Sequence, residues 1–359
     1  MVTLANLNSF VRKGIEVTVI QPSEYHYYSG MGPGMLGTAY SADEIRFATR
    51  KVVEKQGGAF VPAKASAIDP EKQLVRLEDS DRTLPYDVLS CNAGSFVPTA
   101  IVSETNHPDI FTVKPIESLL RAQQRILELS RAKSIDIAVV GGGPSSVEIG
   151  GNVWRLCRES GLNPPRIRIY AGKKLLSRVH EKIGRMARES LRKRGIDVLE
   201  NSYVERIEPD RIILKNGETH PANIIFTAVG VKPSPIFAAS GLPTGPDGGL
   251  RVNQYLQCVS HANIFGGGDC IYFEKEPLDK VGVYAVRENP ILYQNLMASL
   301  EGRSLQPFDP GGSYLLIYNL GDGTGIFCKW SIIFGGPLAF RIKDSIDRRF
   351  MAKFQAMER

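Results

Sequence analysis

The stretch IDIAVVGGGPSSVEIGG, residues 135–151, restricts the possible folds of this chain more than any other part of the sequence. An apolar strand runs into glycines and then into a helix, so that Gly141, Gly143 and Ser146 fill the GxGxx(G/A) spacing. The first glycine permits a tight turn, the second lets a pyrophosphate approach the backbone, and the small third residue lets helix and strand pack closely. The stretch predicts a dinucleotide-binding βαβ unit with Pro144 and Ser145 at its helix N-terminus. A glycine turn without a ligand is the alternative, and the flanking strand and helix disfavour it.

The next predicted strand, RIRIYAG, lacks the acidic residue that commonly binds the adenosine ribose in such units. Tyr170 stands in its place, and Lys173 and Lys174 follow. A carboxylate repels a 2′-phosphate, so its absence beside two ammonium groups favours NADPH, or no preference between the two nucleotides. Two solvated lysines on a loop are the alternative. Val229 and Gly230, after the strand NIIFT, are further candidate nucleotide contacts.

A second glycine-rich stretch, HANIFGGGDCIYF, places a carboxylate at the end of another apolar strand. Open α/β sheets bind ligands at the carboxyl ends of their strands. There Asp269 is placed to accept hydrogen bonds from ribityl hydroxyls, with Gly268 allowing close approach. A structural turn is the alternative.

Composition excludes several other classes of protein. With 359 residues, 43% of them hydrophobic, the chain is long enough for two or three domains. Its five cysteines are scattered without CxxC spacing, and its histidines are equally dispersed, which predicts reduced cytosolic thiols and no metal site. The net charge is +6, but no basic run alternates with aromatic residues, so we expect no nucleic-acid partner.

The order of the motifs is more specific than any one of them. LSCNAGS, the GGGPSS loop, FTAVGVKP, IFGGGDC and a long helix follow one another as in the pyridine nucleotide-disulfide oxidoreductase superfamily, and the chain most resembles its FAD-containing type II NADH dehydrogenases. The resemblance implies an α/β fold with two Rossmann-like domains, the NAD(P)-binding one inserted into the FAD-binding one, and a small C-terminal α+β region. It implies FAD-binding segments at residues 1–115 and 236–307, an NAD(P)H-binding segment at 116–235, and a membrane or dimer region at 308–359.

The same resemblance implies an activity and a set of site residues. The activity is that of a flavin-dependent NAD(P)H dehydrogenase, which passes electrons through FAD to a quinone or another small acceptor. Glu148 would lie beside the nicotinamide, and Lys280 would add positive charge near the flavin. The FAD-binding positions carried over are Gln21, Gly32, Pro33, Ala65, Asn92, Ala93, Gly94, Gly268, Asp269 and Val283. The loop YHYYSGMGPGML contains no cysteine, which disfavours a dithiol relay.

The start of the chain departs from the family pattern. MVTLANLNSFVRKGIEVTVI reads as a helix with Leu4, Leu7 and Phe10 on one stripe, followed by a strand at residues 15–20. A strand and a glycine loop precede such a helix in a complete unit, so we expect a truncated first domain without its central strand and pyrophosphate loop. Poor FAD retention would follow. A remnant that binds NAD(P)H without redox turnover is therefore the alternative to the enzyme.

The tail predicts a contact with a membrane. Ile346, Phe350, Phe354 and Met357 recur at helical spacing, and six Lys or Arg residues accompany three Asp or Glu residues between positions 341 and 359. Upstream, Trp330, Phe334 and Phe340 lie among basic residues, a composition suited to an anionic bilayer surface. The expected location is cytoplasmic, peripheral on the inner face of the membrane. Packing of the tail on the core or against a second subunit of a homodimer is the alternative.

Overall fold

The structure, a computed structural model, describes residues 2–78 and 80–358 of the chain. Its α-helices are α1 (Val2–Ala5), α2 (Asn8–Val11), α3 (Gly32–Leu36), α4 (Thr49–Lys55), α5 (Glu117–Ala132), α6 (Pro144–Glu159), α7 (Glu181–Lys193), α8 (Ile236–Ala239), α9 (Gly282–Leu300) and α10 (Pro337–Gln355). Short 3-10 helices lie at Ser29–Met31, Asp43–Ile45, Gly268–Cys270 and Ala356–Glu358.

The strands of the first half of the chain are β1 (Thr18–Ile20), β2 (Tyr25–Tyr27), β3 (Arg46–Ala48), β4 (Ala59–Val61), β5 (Ala65–Asp69), β6 (Leu74–Leu77), β7 (Thr83–Pro85), β8 (Leu89–Cys91), β9 (Ser95–Phe96), β10 (Ile110–Thr112), β11 (Asp136–Val140) and β12 (Arg166–Tyr170). Those of the second half are β13 (Asp197–Leu199), β14 (Val204–Glu208), β15 (Arg211–Leu214), β16 (Thr219–Pro221), β17 (Ile224–Thr227), β18 (Lys232–Pro233), β19 (Leu250–Val252), β20 (Ile264–Gly266), β21 (Ile271–Phe273), β22 (Leu316–Asn319), β23 (Gly325–Lys329) and β24 (Ile332–Gly336).

A parallel five-stranded sheet forms the middle of the chain, in the order β10-β17-β11-β12-β13. All four residues of β17 are buried, as expected for a parallel strand covered on both faces. Helices α5, α6 and α7 contribute to the apolar core on one side, and the antiparallel meander β14-β15-β16 packs on the other. This arrangement confirms the predicted α/β class.

The edge strand β10 was not predicted. Its residues pair in register with β17, Ile110 opposite Ile225, although they lie before the predicted segment boundary at residue 116. The sheet of the middle unit therefore begins in the connection that precedes α5.

The flanking segments form a second α/β unit. Strands β8 and β20 are far apart in sequence but pair in parallel, and β1 pairs in parallel with β4. Antiparallel β5-β6-β7 and the parallel pair β19-β21 complete this unit. In residues 2–78 and 80–358, no strand connects the β1-β4 pair to the β8-β20 pair.

Two N-terminal elements differ from the predicted ones. The predicted single helix is two short helices, α1 and α2, and both Leu7 and Phe10 are buried as the stripe indicated. The stretch DEIRFATRKVVEKQGG has a helical pattern throughout, but only α4 is α-helical in it, because Arg46–Ala48 forms β3 and pairs with β2. The partner strand lies about twenty residues upstream, so helical periodicity alone could not reveal the pairing.

The C-terminal unit is an antiparallel sheet, β22-β23-β24, with α10 packed on it. Part of the proposed membrane stripe is core. Phe354 is buried and its ring stacks on Phe47 with centroids 5.8 Å apart, and Phe350 lies 4.8 Å from the ring of Tyr28. Met357 is partly buried against the same core, so three of the four stripe residues pack on the core, as in the alternative prediction, whereas Ile346 is 45% exposed. None of the described helices is long and apolar enough to cross a bilayer.

Candidate functional site

The glycine loop between β11 and α6 has the geometry that a pyrophosphate needs. Gly141 has a φ of +139°, and a Cβ there would lie 2.1 Å from the carbonyl oxygen of Ala228, so only glycine fits. At Gly143, by contrast, no described atom beyond the adjacent residues lies within 4 Å of the position of a Cβ. Ser146 is buried at the third position, and its Oγ has no hydrogen-bond partner among the described residues. Pro144 and Ser145 open α6, whose first N–H groups lack acceptors within the helix. The residues therefore fit a dinucleotide phosphate.

Tyr170 does not occupy the position predicted for it. Its side chain is buried beneath the meander, where its ring meets that of His220 edge-on at 5.6 Å. This corrects its assignment as a nucleotide contact, because a strand end presents alternate side chains to opposite faces and Tyr170 faces the core.

The two lysines that follow Tyr170 are exposed beside the glycine loop. Lys173 and Lys174 lie on the loop after β12, and the N–H of Leu176 in that loop donates to the carbonyl oxygen of Gly142 at 2.7 Å. Sequence reasoning missed Glu200, whose carboxylate accepts from the N–H of Leu175 at 2.8 Å and pairs with an arginine. Glu200 follows directly after β13, and this position was the sequence signal from which it could have been identified.

Val229 and Gly230 are exposed directly after β17, and Gly230 has a φ of +97°. Strand β17 neighbours β11 in parallel, so both strands end at the edge that carries the glycine loop. Their contact with a nucleotide stays a prediction that this placement favours.

A second cradle lies where β8 and β20 end side by side. The N–H of Gly267 donates to the carbonyl oxygen of Cys91 at 3.0 Å, which places Asn92–Gly94 next to Gly267–Asp269. Gly94 has a φ of +64° and no described atom near the position of its absent Cβ. Gly268 has a φ of +78°. Asn92 and Ala93 are exposed. The open space beside Gly94 and the nearby carboxylate of Asp269 fit the hydroxyl-rich part of FAD.

Asp269 is held by two residues from other parts of the chain. Its Oδ2 accepts from Lys114 Nζ at 2.6 Å and from Ser95 Oγ at 2.7 Å. Sequence reasoning did not identify Lys114, which is a single lysine after a short strand and carries no motif.

Glu288, on α9, is a buried acid that the sequence did not single out. Its side chain is 1% exposed and accepts a hydrogen bond from the N–H of Gly268. Burial raises the pKa of Glu288 to about 7, with a further contribution from Asp269 and an opposing one from Lys280. The carboxyl group lies against Gly268, the chain neighbour of Asp269.

Lys280 has partners that the sequence did not indicate. Its ammonium pairs with Asp247 at 2.8 Å and donates to the carbonyl oxygen of Ile271. Its contribution of positive charge near the flavin stays a prediction. Helix α9, the predicted long helix, begins at Gly282. Its first turn, which includes Val283, directs N–H groups out of the helix end.

The loop residues Gly32 and Pro33 are both buried in α3, and a Cβ on Gly32 would lie 2.9 Å from the Cδ1 of Ile116, so this glycine permits helix packing. Their contact with the flavin stays a prediction. The exposed residues of the same loop are Tyr25, His26 and Ser29.

Glu148 projects from α6 toward the C-terminal unit. Its Oε1 accepts from the N–H of Asn319 at 2.8 Å. Burial raises the pKa of Glu148, and the positive charge of Lys343 opposes the shift. Its place beside a nicotinamide stays a prediction.

Gln21 and Ala65 lie at the edge of the flanking unit. The Gln21 side-chain amide donates to the carbonyl oxygens of Ser23 and Tyr25, at 2.5 and 3.0 Å, and Ala65 is partly exposed at the start of β5. Their contacts with FAD stay predictions.

Two α/β units in one chain, each with a glycine turn at the carboxyl ends of parallel strands, define an oxidoreductase that binds two dinucleotides. Residues 3–296 match the pyridine nucleotide-disulphide oxidoreductase family, and the chain belongs to that family. The predicted family and the class of flavin-dependent NAD(P)H oxidoreductase are confirmed. Its five cysteines are free thiols.

Several known proteins resemble the chain over most of its length. It is 29% identical over 311 residues to the demethylphylloquinone reductase NdbB of Synechocystis sp., covering 80% of this chain and 73% of that protein. It is 28% identical over 283 residues to ferroptosis suppressor protein 1 of Xenopus tropicalis, covering 75% and 71%. The solved structure of NDH2 from Plasmodium falciparum in complex with NADH superimposes with a TM-score of 0.82 at 16% identity, covering 99% and 94%, which shows a shared fold.

Proposed function

We propose that this chain oxidises NAD(P)H and passes the electrons through FAD to a quinone or another small acceptor. The observation that carries the proposal is the pairing of the open Gly143 loop with the Asn92–Gly94 and Gly267–Asp269 cradle in one chain. A quinone is the favoured acceptor because a relative is named a demethylphylloquinone reductase. The alternative, a remnant without turnover, finds no support among these relatives.

In this proposal, each of the two α/β units binds one of the two dinucleotides. Gly143 and the N-terminus of α6 receive the pyrophosphate of NAD(P)H, and Asp269 with its glycine neighbours holds FAD. FAD, when bound, supplies a hydride acceptor and a donor of electrons to the quinone. The balanced reaction is NAD(P)H, one proton and quinone giving NAD(P)+ and hydroquinone. Glu148 is the proposed catalytic side chain beside the nicotinamide.

The nucleotide we favour is NADPH. Lys173 and Lys174 are exposed next to the glycine loop, and the nearby carboxylate of Glu200 is bonded to Arg188 at 3.2 Å and to a backbone N–H. A 2′-phosphate would therefore meet two ammonium groups and a carboxylate whose charge is already paired.

The test is anaerobic reduction of bound flavin. Weak FAD retention stays a prediction, so the purified chain is first mixed with excess FAD and then freed of unbound cofactor. We expect NADPH to bleach the yellow absorbance, NADH to do so at the same rate or more slowly, and a short-chain quinone to restore it. Flavin that binds but is not bleached by either nucleotide would refute the proposed function.

A hairpin on the C-terminal unit offers a surface for a membrane. Trp330, Ile332 and Leu338 are 68%, 54% and 61% exposed, and we call these three residues the hairpin patch. Two lysines lie beside the patch. Lys329 Nζ is 4.4 Å from the centroid of the Trp330 ring, and Lys182 Nζ donates to the carbonyl oxygen of Ile333 at 2.8 Å. Exposed apolar side chains beside lysines suit an anionic bilayer, such as the cytoplasmic leaflet. We propose that the patch docks there; homodimerisation stays a prediction.

We expect the double variant Trp330→Ser/Ile332→Ser to lose at least about tenfold in partition to anionic vesicles. Removing two large apolar groups forfeits more than the roughly 1.4 kcal/mol that a tenfold change represents. Flotation with phosphatidylglycerol-containing liposomes measures the effect. Val259→Ser is the matched control, because Val259 is also exposed but belongs to the flanking α/β unit. Equal flotation of the double variant and the control would contradict the assignment.

A further inference from the structure

Three polar groups from three separate parts of the chain meet beside the second cradle. Lys114 Nζ donates to Asp269 Oδ2 at 2.6 Å and to Ser95 Oγ at 2.8 Å, and Ser95 Oγ donates to the same Oδ2 at 2.7 Å. The side chains of Lys114 and Asp269 are 26% and 13% exposed, so water screens this ion pair only partly. We call the three residues the Lys114 triad.

The triad joins the two α/β units. Lys114 follows β10, the edge strand of the middle sheet, whereas Asp269 follows β20 and Ser95 lies in β9 of the flanking unit. Strand β9 also pairs with β18, Ser95 opposite Pro233, where the chain returns from the middle unit. The ammonium of one unit therefore fixes a carboxylate of the other.

The triad leaves one carboxylate oxygen of Asp269 to a ligand. Within the described part of the chain, both side-chain bonds to Asp269 go to Oδ2, so Oδ1 is the oxygen available for a hydroxyl. The backbone next to it borders open space at Gly94, where a Cβ would meet no described atom within 4 Å beyond its chain neighbours. A lone carboxylate here would repel the anionic pyrophosphate of FAD, whereas one paired with an ammonium would not.

We propose that Lys114 is a positioning residue for FAD, which holds and neutralises Asp269 so that this carboxylate can accept a hydroxyl of the cofactor. The inference rests on the proposed use of FAD. It assigns to the middle, NAD(P)H-binding unit a direct part in the binding of the other cofactor.

The experiment is a fluorescence titration of FAD into the flavin-free full chain. We expect Lys114→Met to weaken FAD binding at least tenfold, and Lys114→Arg, which keeps the charge, to remain within threefold of the wild type. Lys133→Met is the matched control, since Lys133 is an exposed lysine at the end of α5, and it should bind FAD like the wild type. NADPH affinity should be unchanged in all variants, because a general loss of structure would weaken both sites.

A second readout separates positioning from simple stability. With FAD bound, Lys114→Met should have a more negative flavin reduction potential than the wild type, because the uncompensated carboxylate disfavours added electrons, and Lys114→Arg should restore it. If Lys114→Met does not fold, Ser95→Ala decides: it removes one bond to Oδ2 and should weaken FAD binding about threefold. If a folded Lys114→Met variant binds FAD with wild-type affinity, the inference about Lys114 is wrong, but the proposed function stands. If only Ser95→Ala folds, wild-type FAD affinity in that variant has the same consequence. Failure of the wild type to bind FAD overturns the proposed function together with the inference.

Discussion

Gly143→Val is expected to fold like the wild type and to lose about a hundredfold or more in affinity for NAD(P)H. The backbone at Gly143 has φ −89° and ψ −176°, which valine adopts readily, and no described atom lies near the new Cβ. The side chain would instead occupy the space through which a pyrophosphate reaches the N–H groups of α6. Losing one or two hydrogen bonds to a charged phosphate, each worth about 1.5–3 kcal/mol, accounts for the size of the effect. Equilibrium titration of NADPH measures it.

The control for this variant is Gly312→Val. Gly312 also has open surroundings and an ordinary φ, but it lies outside both glycine cradles, so NADPH affinity should not change. Gly141→Val is unsuitable as a test, because its Cβ would overlap the Ala228 carbonyl oxygen and disturb folding. Wild-type NADPH affinity in a folded Gly143→Val chain would show that the loop does not bind the nucleotide.

Lys343→Met is expected to lower the free energy of unfolding by about 3–5 kcal/mol, the usual cost of removing one partner of a buried ion pair. Lys343 and Asp347 are 9% and 4% exposed, and the ammonium donates to Asp347 Oδ2 at 2.6 Å and to the Gly30 carbonyl oxygen at 2.7 Å. Tyr28 donates its hydroxyl to the other carboxylate oxygen at 3.2 Å. The pair ties α10 to the loop before α3, and urea unfolding measures its loss.

The pH dependence of this variant has a definite sign. Burial already raises the pKa of Asp347, and Lys343 opposes that shift, so the variant's carboxyl should hold its proton to still higher pH. A folded-state pKa above the unfolded one means that stability falls as pH rises through it. The loss should therefore be smaller in acid than at neutral pH.

Two further variants check the interpretation. The double variant Lys343→Met/Asp347→Leu should regain most of the lost stability. Its free energy of unfolding should remain about 1 kcal/mol below that of the wild type, because the Tyr28 hydroxyl loses its partner. Arg348→Met should cost no more than about 1 kcal/mol, because Arg348 pairs with Asp344 at 2.9 Å and with Glu44 at 2.5 Å, and all three side chains are partly exposed to water. A loss in Lys343→Met no larger than in Arg348→Met would contradict a stabilising buried pair.

The membrane stripe shows where sequence periodicity reaches its limit. Phe350 and Phe354 recur at the spacing that both a core helix and a surface-bound helix require. The structure packs them on Tyr28 and Phe47, about three hundred residues upstream. Ile346 of the same stripe is exposed, as are the residues of the hairpin patch, part of which belongs to the unpredicted strand β24. Elements that are distant in sequence determine which apolar face is covered. The local sequence pattern does not identify those elements.

Among the site residues, those that act through a local motif were predicted, and partners distant in sequence were not. Gly141 and Gly143 were predicted because their function is local: a strand, a turn with positive φ and a helix follow one another within about twenty residues. The motifs did not indicate the partners of Lys280 and Tyr170, Asp247 for the first and His220 for the second, and the core position of Tyr170 was therefore missed. Lys114 was missed because its partner lies 155 residues away.

By itself, therefore, the sequence determined the α/β class, the two glycine turns and the family, since these depend on residue spacing within single strand–turn–helix units. Only the tertiary structure decided which charges are paired and which apolar faces are exposed. Lys114 meets Asp269, and Lys343 meets the Gly30 carbonyl, only after separate units have packed together. Such contacts follow from the placement of whole elements, and many sequences with the same local pattern could place them differently.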